Sequence, residues 1–418
     1  MRALRRIACA LLASFVLHGC GGGGGDSSTP AVTAAANAQP VAVTAGSGGN
    51  FPNTLSTSVT ICVPGTGNCQ TIPNVQVDTG SSGLRLLASA ITLALPPVTS
   101  PADGSRYSEC AGFADGVVWG ALARADVKLA SETASSLSIQ VIQDNAAGPA
   151  PPAACTAQGM AENTMALLGG NGILGVGNFL QDCGAFCAGN ASAVYFTCPA
   201  GGACTGAAIA TAAQVANPAA FFTQDNNGLI VQLPAVGTSG SAPVTGSMLF
   251  GIGTQPNNGL AAAPIPVGTS GSNAGSFTAL YRGTVLPNSF FDSGSSALFF
   301  DDASLPTCAR SGATGDVARL YCPGTSAALS ATPVTPTIVM GNATSAAVPL
   351  TVANALFLLA QSPAPVAFND LGGPAGAALP GAFDFGLPFF FGRSVYVAFE
   401  QRSAGGTAGP YVAYQPLP

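Results

Sequence analysis

One short segment occurs twice in this chain, and the repeat constrains the fold more than any other feature of the sequence. Val75–Leu84 reads VQVDTGSSGL, and Ser289–Leu298 reads SFFDSGSSAL. Each copy is an apolar strand followed by Asp, a hydroxyl residue, Gly, Ser and Ser. One such segment could be an ordinary turn in a chain rich in Gly and Ser. Two copies with matching flanks, 214 residues apart, instead predict two related halves that each contribute one loop.

The composition predicts an all-β protein. Only 7 % of the 418 residues are charged, whereas Gly and Pro number 54 and 32. So few charges disfavour long solvent-exposed helices, and so many turn formers favour short strands. Strand-like runs such as Val117–Leu129 and Leu137–Ile142 recur between turn signals. We expect an N-terminal lobe at residues 47–235 and a C-terminal lobe at residues 236–418.

The first twenty residues have the pattern of an export signal. Arg2, Arg5 and Arg6 precede the apolar run Ile7–Leu17, and a short cleavage site ends at Cys20. This arrangement resembles the lipobox of bacterial lipoproteins. Residues 1–20 are therefore predicted to be a lipoprotein signal peptide, with a lipid attached at Cys20. The alternative is an ordinary signal peptide that is cut near Cys20.

The segment after the signal lacks any periodic pattern. Residues 21–46 contain five consecutive glycines and then mainly Ser, Thr, Ala and Pro. Such a composition predicts a flexible tether. No later apolar run reaches the ~18–20 residues that span a bilayer, so we expect contact with the membrane only through the lipid. Gly21, rather than Asp, follows Cys20, which favours the outer membrane as the destination in the cell envelope.

Histidine is confined to the predicted signal, where His18 is the single copy in the chain. Its removal excludes Ser-His-Asp and Cys-His hydrolases and histidine-ligated metal sites. The remaining chain carries nine basic and eighteen acidic residues, a net charge of −9. This charge disfavours nucleic acid and anionic membrane surfaces as partners. We expect neither a metal nor a cofactor, and chemistry that depends on carboxylates, hydroxyls or thiols.

The cysteines predict disulfides in an oxidising compartment. Ten cysteines follow Cys20, an even number in a chain that carries an export signal. Short separations make Cys62–Cys69 and Cys308–Cys322 natural pairs. The four cysteines between Cys183 and Cys204 could also be a metal knuckle, but their spacing does not repeat a C-x-x-C pattern.

The repeated loops resemble the active-site signature of the pepsin-like aspartic proteases. Asn171–Gly177 is similar to the apolar-apolar-Gly segment that completes the first active-site loop of that family, and Phe385–Glu400 is similar to its C-terminal strand pair. The resemblance covers nearly all of the chain after the tether. It implies a bilobal all-β fold with two related β-barrel-like lobes and the active site between them. The lipobox combined with DTGSSGLR also resembles a bacterial protein family without an assigned activity.

The resemblance assigns roles to both loops. Asp78 and Asp292 would be the catalytic pair, because two adjacent carboxylates that share one proton can activate a water. In each loop the following residues would tie the loops together, permit a tight turn and hydrogen-bond the outer carboxylate oxygen. These supporting residues are Thr79, Gly80 and Ser81, and Ser293, Gly294 and Ser295. Hydrogen bonds to the ionised carboxylate lower its pKa, so we expect activity at acidic pH.

The chain departs from the family pattern around the hairpin, called the flap, that covers the cleft. The flap is expected at Gly112–Gly120, with Phe113 where the family has a tyrosine, and with Asp115 and Gly116 at its turn. Arg85 occupies the position of the tryptophan that contacts this tyrosine. We expect Arg85 to pair with Asp115, or both residues to be solvated at the surface. The segment Phe383–Gly386 also places a charge where the second apolar-apolar-Gly motif has an aliphatic residue.

Two functions fit the sequence. The favoured one is an endopeptidase that hydrolyses extended peptides with apolar side chains beside the cut. The alternative is a pepsin-fold surface lipoprotein that binds a peptide or protein without cutting it. Retention of both aspartates favours the enzyme, whereas the altered flap pair favours the binding protein. In either case we expect a monomer.

Overall fold

Strands provide most of the regular structure, which confirms the predicted all-β class. The computed structural model describes residues 35–49, 51–144, 148–313, 316–334 and 347–417. The predicted signal peptide, Cys20 and the first part of the predicted tether lie outside these residues. The structure groups Ala36–Pro418 into one compact unit.

The strands are numbered in chain order. The first twelve are β1 Ala38–Thr44, β2 Thr54–Cys62, β3 Cys69–Asp78, β4 Ser82–Leu87, β5 Arg106–Gly112, β6 Val117–Leu129, β7 Glu132–Ile142, β8 Gly172–Val176, β9 Tyr195–Cys198, β10 Thr205–Gly206, β11 Gly228–Leu233 and β12 Val244–Phe250. They are followed by β13 Ile265–Pro266, β14 Phe277–Tyr281, β15 Thr284–Phe291, β16 Leu298–Phe299, β17 Ala327–Val334, β18 Val348–Val352, β19 Gly372–Gly373, β20 Asp384–Phe385, β21 Arg393–Ala398, β22 Ser403–Ala404, β23 Thr407–Ala408 and β24 Tyr411–Pro416.

The helices are short and connect strands. The α-helices are α1 Ala153–Thr156, α2 Met165–Leu168, α3 Gly184–Gly189, α4 Ala355–Leu359 and α5 Leu387–Phe390. The 3₁₀ turns are Ala88–Ala90, Thr211–Ala213, Pro218–Phe221, Gly271–Asn273, Cys308–Ser311, Asp316–Arg319 and Gly376–Ala378. Within the described ranges, no helix has the length and apolar character needed to cross a membrane.

Six strands of the first half close into a barrel. Their order is β2, β3, β8, β4, β7 and β6, and β6 returns to pair with β2. Alternating apolar residues point inward, and Val59, Ile61, Val77, Leu84 and Leu86 are completely buried. Each such side chain contributes about 1.5–3 kcal/mol of transfer free energy. The barrel thus gives β3 and β4 a rigid base for the loop between them.

Phenylalanines fill the corresponding core of the second half. A seven-stranded sheet runs in the order β18, β17, β14, β15, β20, β16, β19. The rings of Phe383 and Phe385 stack with their centroids 4.4 Å apart, and Phe291 stacks on Phe389 at 4.5 Å. These four rings are buried, and they pack together at the end of β15, where Phe291 is the last residue.

The first strand starts earlier than predicted. The tether was expected to reach residue 46, but residues 38–44 form β1, so this boundary is wrong. β1 lies between β2 and β12, and Val41 and Val43 point into the core. Val41 and Val43 alternate as in a strand, but two residues are too few to predict a strand next to a low-complexity segment. Pairing with two neighbours, rather than local propensity, makes this segment a strand.

The large sheet continues across the predicted lobe boundary. β11, in the predicted N-terminal lobe, pairs with β12 and with the C-terminal strand β21. The division between residues 235 and 236 therefore falls in a connection between two paired strands, and it stays a prediction.

All ten cysteines of the described residues form disulfides. The predicted pairs Cys62–Cys69 and Cys308–Cys322 are confirmed. The other bonds are Cys110–Cys155, Cys183–Cys187 and Cys198–Cys204. The cluster from Cys183 to Cys204 thus consists of two small disulfide loops, as favoured over a metal knuckle.

Candidate active site

The two aspartates of the repeated segments lie at equivalent ends of two parallel strand pairs. Asp78 is the last residue of β3, and Asp292 directly follows β15. β3 runs parallel to β8, with Asp78 opposite Gly175. β15 runs parallel to β20, and the backbone N–H of Asp292 donates to Phe385 O at 3.1 Å. The repeat in the sequence is therefore a repeat in the structure.

Thr79 and Ser293 tie the two loops together. The backbone N–H of Thr79 donates to Ser293 Oγ at 3.1 Å, and the N–H of Ser293 donates to Thr79 Oγ1 at 3.0 Å. Each hydroxyl also donates across the site, from Thr79 to Phe291 O at 3.0 Å and from Ser293 to Val77 O at 2.7 Å. Both residues are buried. This crossed network is the role that the family resemblance implied for them.

Each aspartate accepts two hydrogen bonds from its own loop. The N–H of Gly80 donates to Asp78 Oδ1 at 2.7 Å, and Ser81 Oγ donates to Asp78 Oδ2. In the second loop, the N–H of Gly294 donates to Asp292 Oδ1 at 2.7 Å, and Ser295 Oγ donates to Asp292 Oδ2 at 2.8 Å. These donors fix the orientation of both carboxyl groups.

The two carboxyl groups face each other across the glycines. A Cβ atom added to Gly80 would lie 2.8 Å from Cγ of Asp292, and one added to Gly294 would lie 2.9 Å from Cγ of Asp78. Real Cβ atoms do not approach other atoms so closely. Glycine at both positions therefore permits each carboxyl group to rest on the opposite loop.

The electrostatics of the pair favour one shared proton. Burial, together with the adjacent Asp78, raises the pKa of Asp292 well above its usual value. Two carboxylates held side by side cannot both ionise without strong repulsion. Such a pair can accept a proton from a water through one carboxylate and donate a proton through the other.

A third carboxyl group lies directly behind Asp292. Ser295 Oγ is 2.8 Å from Asp292 Oδ2 and 2.7 Å from Asp384 Oδ2. Asp384 is 1 % exposed, and burial, followed by the nearby Asp292, raises its pKa well above the usual value. The sequence analysis noted the charge of this residue within the second apolar-apolar-Gly segment but did not assign Asp384 to the site.

The predicted flap is the hairpin formed by β5 and β6. Its turn spans Phe113 to Gly116, where the N–H of Phe113 donates to Gly116 O at 2.8 Å. Asp115 is exposed at the turn, whereas Gly116 is buried. A Cβ atom on Gly116 would lie 2.6 Å from Cγ of Glu162, so the turn packs closely against the segment that contains Glu162.

The predicted pairing of Arg85 with Asp115 is wrong, and Arg85 is not a solvated residue either. Its side chain is 3 % exposed, and its Nη2 lies 2.6 Å from Glu109 Oε1 and 3.2 Å from Asp182 Oδ2. The Tyr195 hydroxyl donates to the other oxygen of Asp182 at 2.5 Å. Every residue of β4 is buried, so Arg85 finds its partners inside the first half and not at the exposed turn.

Arg85 nevertheless supports the flap. Its guanidinium carbon lies 5.9 Å from the centroid of the Phe113 ring, within the range of a cation–π contact. Phe113 thus rests on a cation where the family resemblance places a tyrosine beside a tryptophan. The Arg85–Phe113 contact is a cation–π contact, at the place where the family pattern has a tryptophan–tyrosine contact.

A cleft of about 430 Å³ lies between the flap and the first aspartate loop. It is lined by residues of both halves, among them Thr79, Phe113, Phe179, Ser276 and Phe290. Apolar and polar groups both face the cleft, and Thr79, Gly80 and Ser81 of the first aspartate loop lie in its wall.

The all-β fold is of the pepsin-like class. The structure is similar to the crystal structure of an aspartic proteinase from Irpex lacteus, with a TM-score of 0.50 and 14 % sequence identity. The match covers 91 % of this chain and 96 % of that protein. At this identity, the similarity establishes the fold.

The chain belongs to the family described as "Protein of unknown function (DUF3443)", whose model matches residues 33–414. No curated protein matches the sequence.

Proposed function

We propose that this protein is an aspartic endopeptidase in which Asp78 and Asp292 activate the attacking water. The observation that carries the proposal is the crossed network of Thr79 and Ser293, which holds the two carboxyl groups face to face. A binding protein of the same fold would not need this complete set of bonds around the two aspartates. Desolvation and the neighbouring Asp78 raise the pKa of Asp292, which favours the one shared proton that the reaction requires.

In the proposed reaction, a water lies between the two carboxyl groups. The ionised carboxylate takes a proton from the water as the water attacks the peptide carbonyl carbon. The protonated carboxyl donates its proton to the carbonyl oxygen, and the carbonyl carbon becomes a tetrahedral carbon that bears two hydroxyl groups, a gem-diol. The pair shares its protons, so the two roles belong to the pair and not to one fixed residue. As the diol collapses, the C–N bond breaks, one carboxyl group of the pair donates a proton to the leaving amine, and the other accepts a proton from a diol hydroxyl.

The cleft and the flap support an extended peptide as the substrate. Phe113 above the cleft and Phe179 and Phe290 along its wall offer apolar contacts. Arg85 holds the ring of Phe113 from below. A substrate with apolar side chains on both sides of the cut fits these surfaces.

The test is cleavage by the purified full chain and by Asp78→Asn and Asp292→Asn. Asp225→Asn is a matched control, because Asp225 is buried and bonded to Thr254 and Gln255 instead of to the pair. A diverse peptide mixture is incubated from pH 3 to pH 7.5, with and without pepstatin, and products are identified by mass spectrometry. We expect each pair variant to lose at least about a hundredfold in rate, and Asp225→Asn to remain active.

Absence of cleavage by well-folded protein at every pH would refute the enzyme and leave a peptide-binding protein. Cleavage that survives Asp78→Asn would also refute the proposed mechanism. Binding of pepstatin without cleavage would indicate a cleft that captures extended peptides.

We also propose that the protein is exported and attached to the cell envelope through a lipid on Cys20. The five disulfides support an oxidising compartment. Incorporation of labelled fatty acid that is lost in Cys20→Ser would support the lipid, and its absence from the unsubstituted chain would refute it.

A further inference from the structure

Asp384 breaks the symmetry between the two halves of the site. β8 and β20 occupy equivalent positions: Leu174 pairs with Val77 in the first half, and Phe385 pairs with Phe291 in the second. The residue before each is therefore equivalent, and it is Ile173 in the first half and Asp384 in the second. Both side chains are buried. The second half thus has a carboxyl group where the first has a hydrocarbon.

The contacts of Ser295 require a proton that a serine alone cannot provide. Its hydroxyl lies within hydrogen-bond distance of Asp292 Oδ2, at 2.8 Å, and of Asp384 Oδ2, at 2.7 Å. A hydroxyl donates one hydrogen bond only, and two ionised carboxylates can only accept. One of the two carboxyl groups must therefore be protonated and must donate to Ser295 Oγ.

The surroundings identify Asp384 as the protonated group. Its second oxygen, Oδ1, is buried and has no hydrogen-bond partner. An ionised carboxylate with an unpaired buried oxygen is far more costly than a neutral carboxyl group with an unpaired carbonyl oxygen. Asp292, in contrast, has its other oxygen bonded to the N–H of Gly294 at 2.7 Å. Protonation at Oδ2 of Asp384 satisfies every contact of Ser295.

Within the part of the chain that the structure describes, no cation offsets the charge of Asp384 if it ionises. Its partners in the two adjacent strands are Phe290 of β15 and Phe299 of β16, which do not titrate. The titratable groups that act on it are Asp292 and Asp78, both acidic. A negative charge on Asp384 would therefore face only other carboxyl groups.

We propose that Asp384 is a third carboxyl group of the site, a positioning residue that is protonated at acidic pH and loses its proton before the Asp78–Asp292 pair loses its shared one. It donates to Ser295, and Ser295 in turn donates to Asp292. As the pH rises, Asp384 releases its proton to solvent and becomes negative. The shared proton of the pair must then leave against one more negative charge, so the pair keeps that proton to a higher pH.

The effect on the pH profile rests on the proposed function. We expect the alkaline limb of kcat/KM to lie about one pH unit higher in the unsubstituted protein than in Asp384→Asn or Asp384→Ile. Asp384→Ile reproduces the first half, where Ile173 stands, and Asp384→Asn keeps the shape and a donor to Ser295. Asp225→Asn is the control and leaves the limb unchanged. Equal alkaline limbs in the unsubstituted protein and both Asp384 variants would overturn the proposal.

A second readout does not depend on activity. The full chain is labelled at the aspartate carboxyl carbons, and their ¹³C shifts are titrated from pH 3.5 to pH 8. We expect one carboxyl that titrates well above the usual range of aspartate to disappear in Asp384→Asn and to persist in Asp225→Asn. A titration of Asp384 near the ordinary value of about 4 would overturn the proposal even if peptides are cleaved. Conversely, an inactive protein that keeps the elevated titration loses the proposed function but retains the role of Asp384. If Asp384→Asn does not fold, Ser295→Ala tests the same signal, because removal of its acceptor changes the titration of Asp384.

Discussion

Thr79 and Ser293 each accept a hydrogen bond from the other's backbone N–H, across the line where the two halves meet. No disulfide among the described residues crosses that line. The relative position of the two carboxyl groups therefore depends on non-covalent bonds between the loops.

Replacement of Thr79 by Val should loosen the site. Valine keeps the shape but leaves the N–H of Ser293 and the carbonyl of Phe291 without partners, at about 1–3 kcal/mol for each buried group. Thr79→Ser keeps the hydroxyl, as in the second half, and should approach the original stability. Urea unfolding monitored by tryptophan fluorescence measures the difference. Equal midpoints for the two variants would contradict the structural role of the hydroxyl.

An alanine at Gly80 should separate the two aspartates without unfolding the protein. Its Cβ atom would lie 2.8 Å from Cγ of Asp292, so the carboxyl group must move. A misplacement of a catalytic group by about 1 Å can lower the rate about a hundredfold. Gly237→Ala is the control, since no atom lies within 4 Å of its Cβ position. Peptide cleavage and the melting temperature are compared, and an active Gly80→Ala would show that the pair tolerates separation.

Loss of Arg85 should destabilise the first half. Arg85→Leu leaves Glu109, which is fully buried, without its cation. Breaking one side of a buried ion pair costs about 3–5 kcal/mol, measurable as a loss in free energy of unfolding. Replacing both Arg85 and Glu109 by Leu should restore part of this loss. Asp115→Asn, at an exposed turn, should change the free energy of unfolding by less than about 0.5 kcal/mol. A larger loss would support the Arg85–Asp115 pairing that was predicted from the sequence.

Stability should decrease as the pH rises from about 4.5 to about 7. Burial, together with Asp115, raises the pKa of Glu162 from 4.5 to about 7, and burial also raises the pKa of Asp182 and of Asp292. A raised pKa means that the folded protein binds more protons than the unfolded chain. The resulting stabilisation is complete below the unfolded pKa and is lost as the pH passes the folded one. Melting temperatures across this window should fall, and less steeply in Glu162→Gln. A melting temperature that rises with pH would contradict the assignment.

A chain that begins at residue 47 should fold poorly. It lacks β1, and both neighbours of that strand, β2 and β12, would have unpaired edges. A chain that begins at Ala36 keeps the strand and is the matched control. Size-exclusion chromatography should show a monodisperse species for the longer chain and aggregates for the shorter one. Equal behaviour of the two would mean that β1 adds little to the fold.

The sequence predicted the parts of the site that repeat. The paired segments around Asp78 and Asp292 predicted the geometry of both loops, because each loop is local in the chain, whereas the composition predicted the all-β class. The partners of Arg85 could not be predicted, since Glu109 and Asp182 are 24 and 97 residues away and meet it only after the barrel closes. Asp384 left a signal, a charge within an apolar motif, but its link to Asp292 passes through Ser295, 89 residues away.

The disulfides described above have an implication for how the chain matures. Each of the five bonds joins a cysteine to the next cysteine in the described sequence, from Cys62–Cys69 to Cys308–Cys322. A chain that enters an oxidising compartment from its N-terminus presents these thiols in the same order. An oxidant that joins each new thiol to the preceding unpaired one would therefore produce the native pattern during translocation, with no rearrangement of wrong pairs. Under the export proposed above, maturation of the chain should accordingly require a thiol oxidase but no disulfide isomerase.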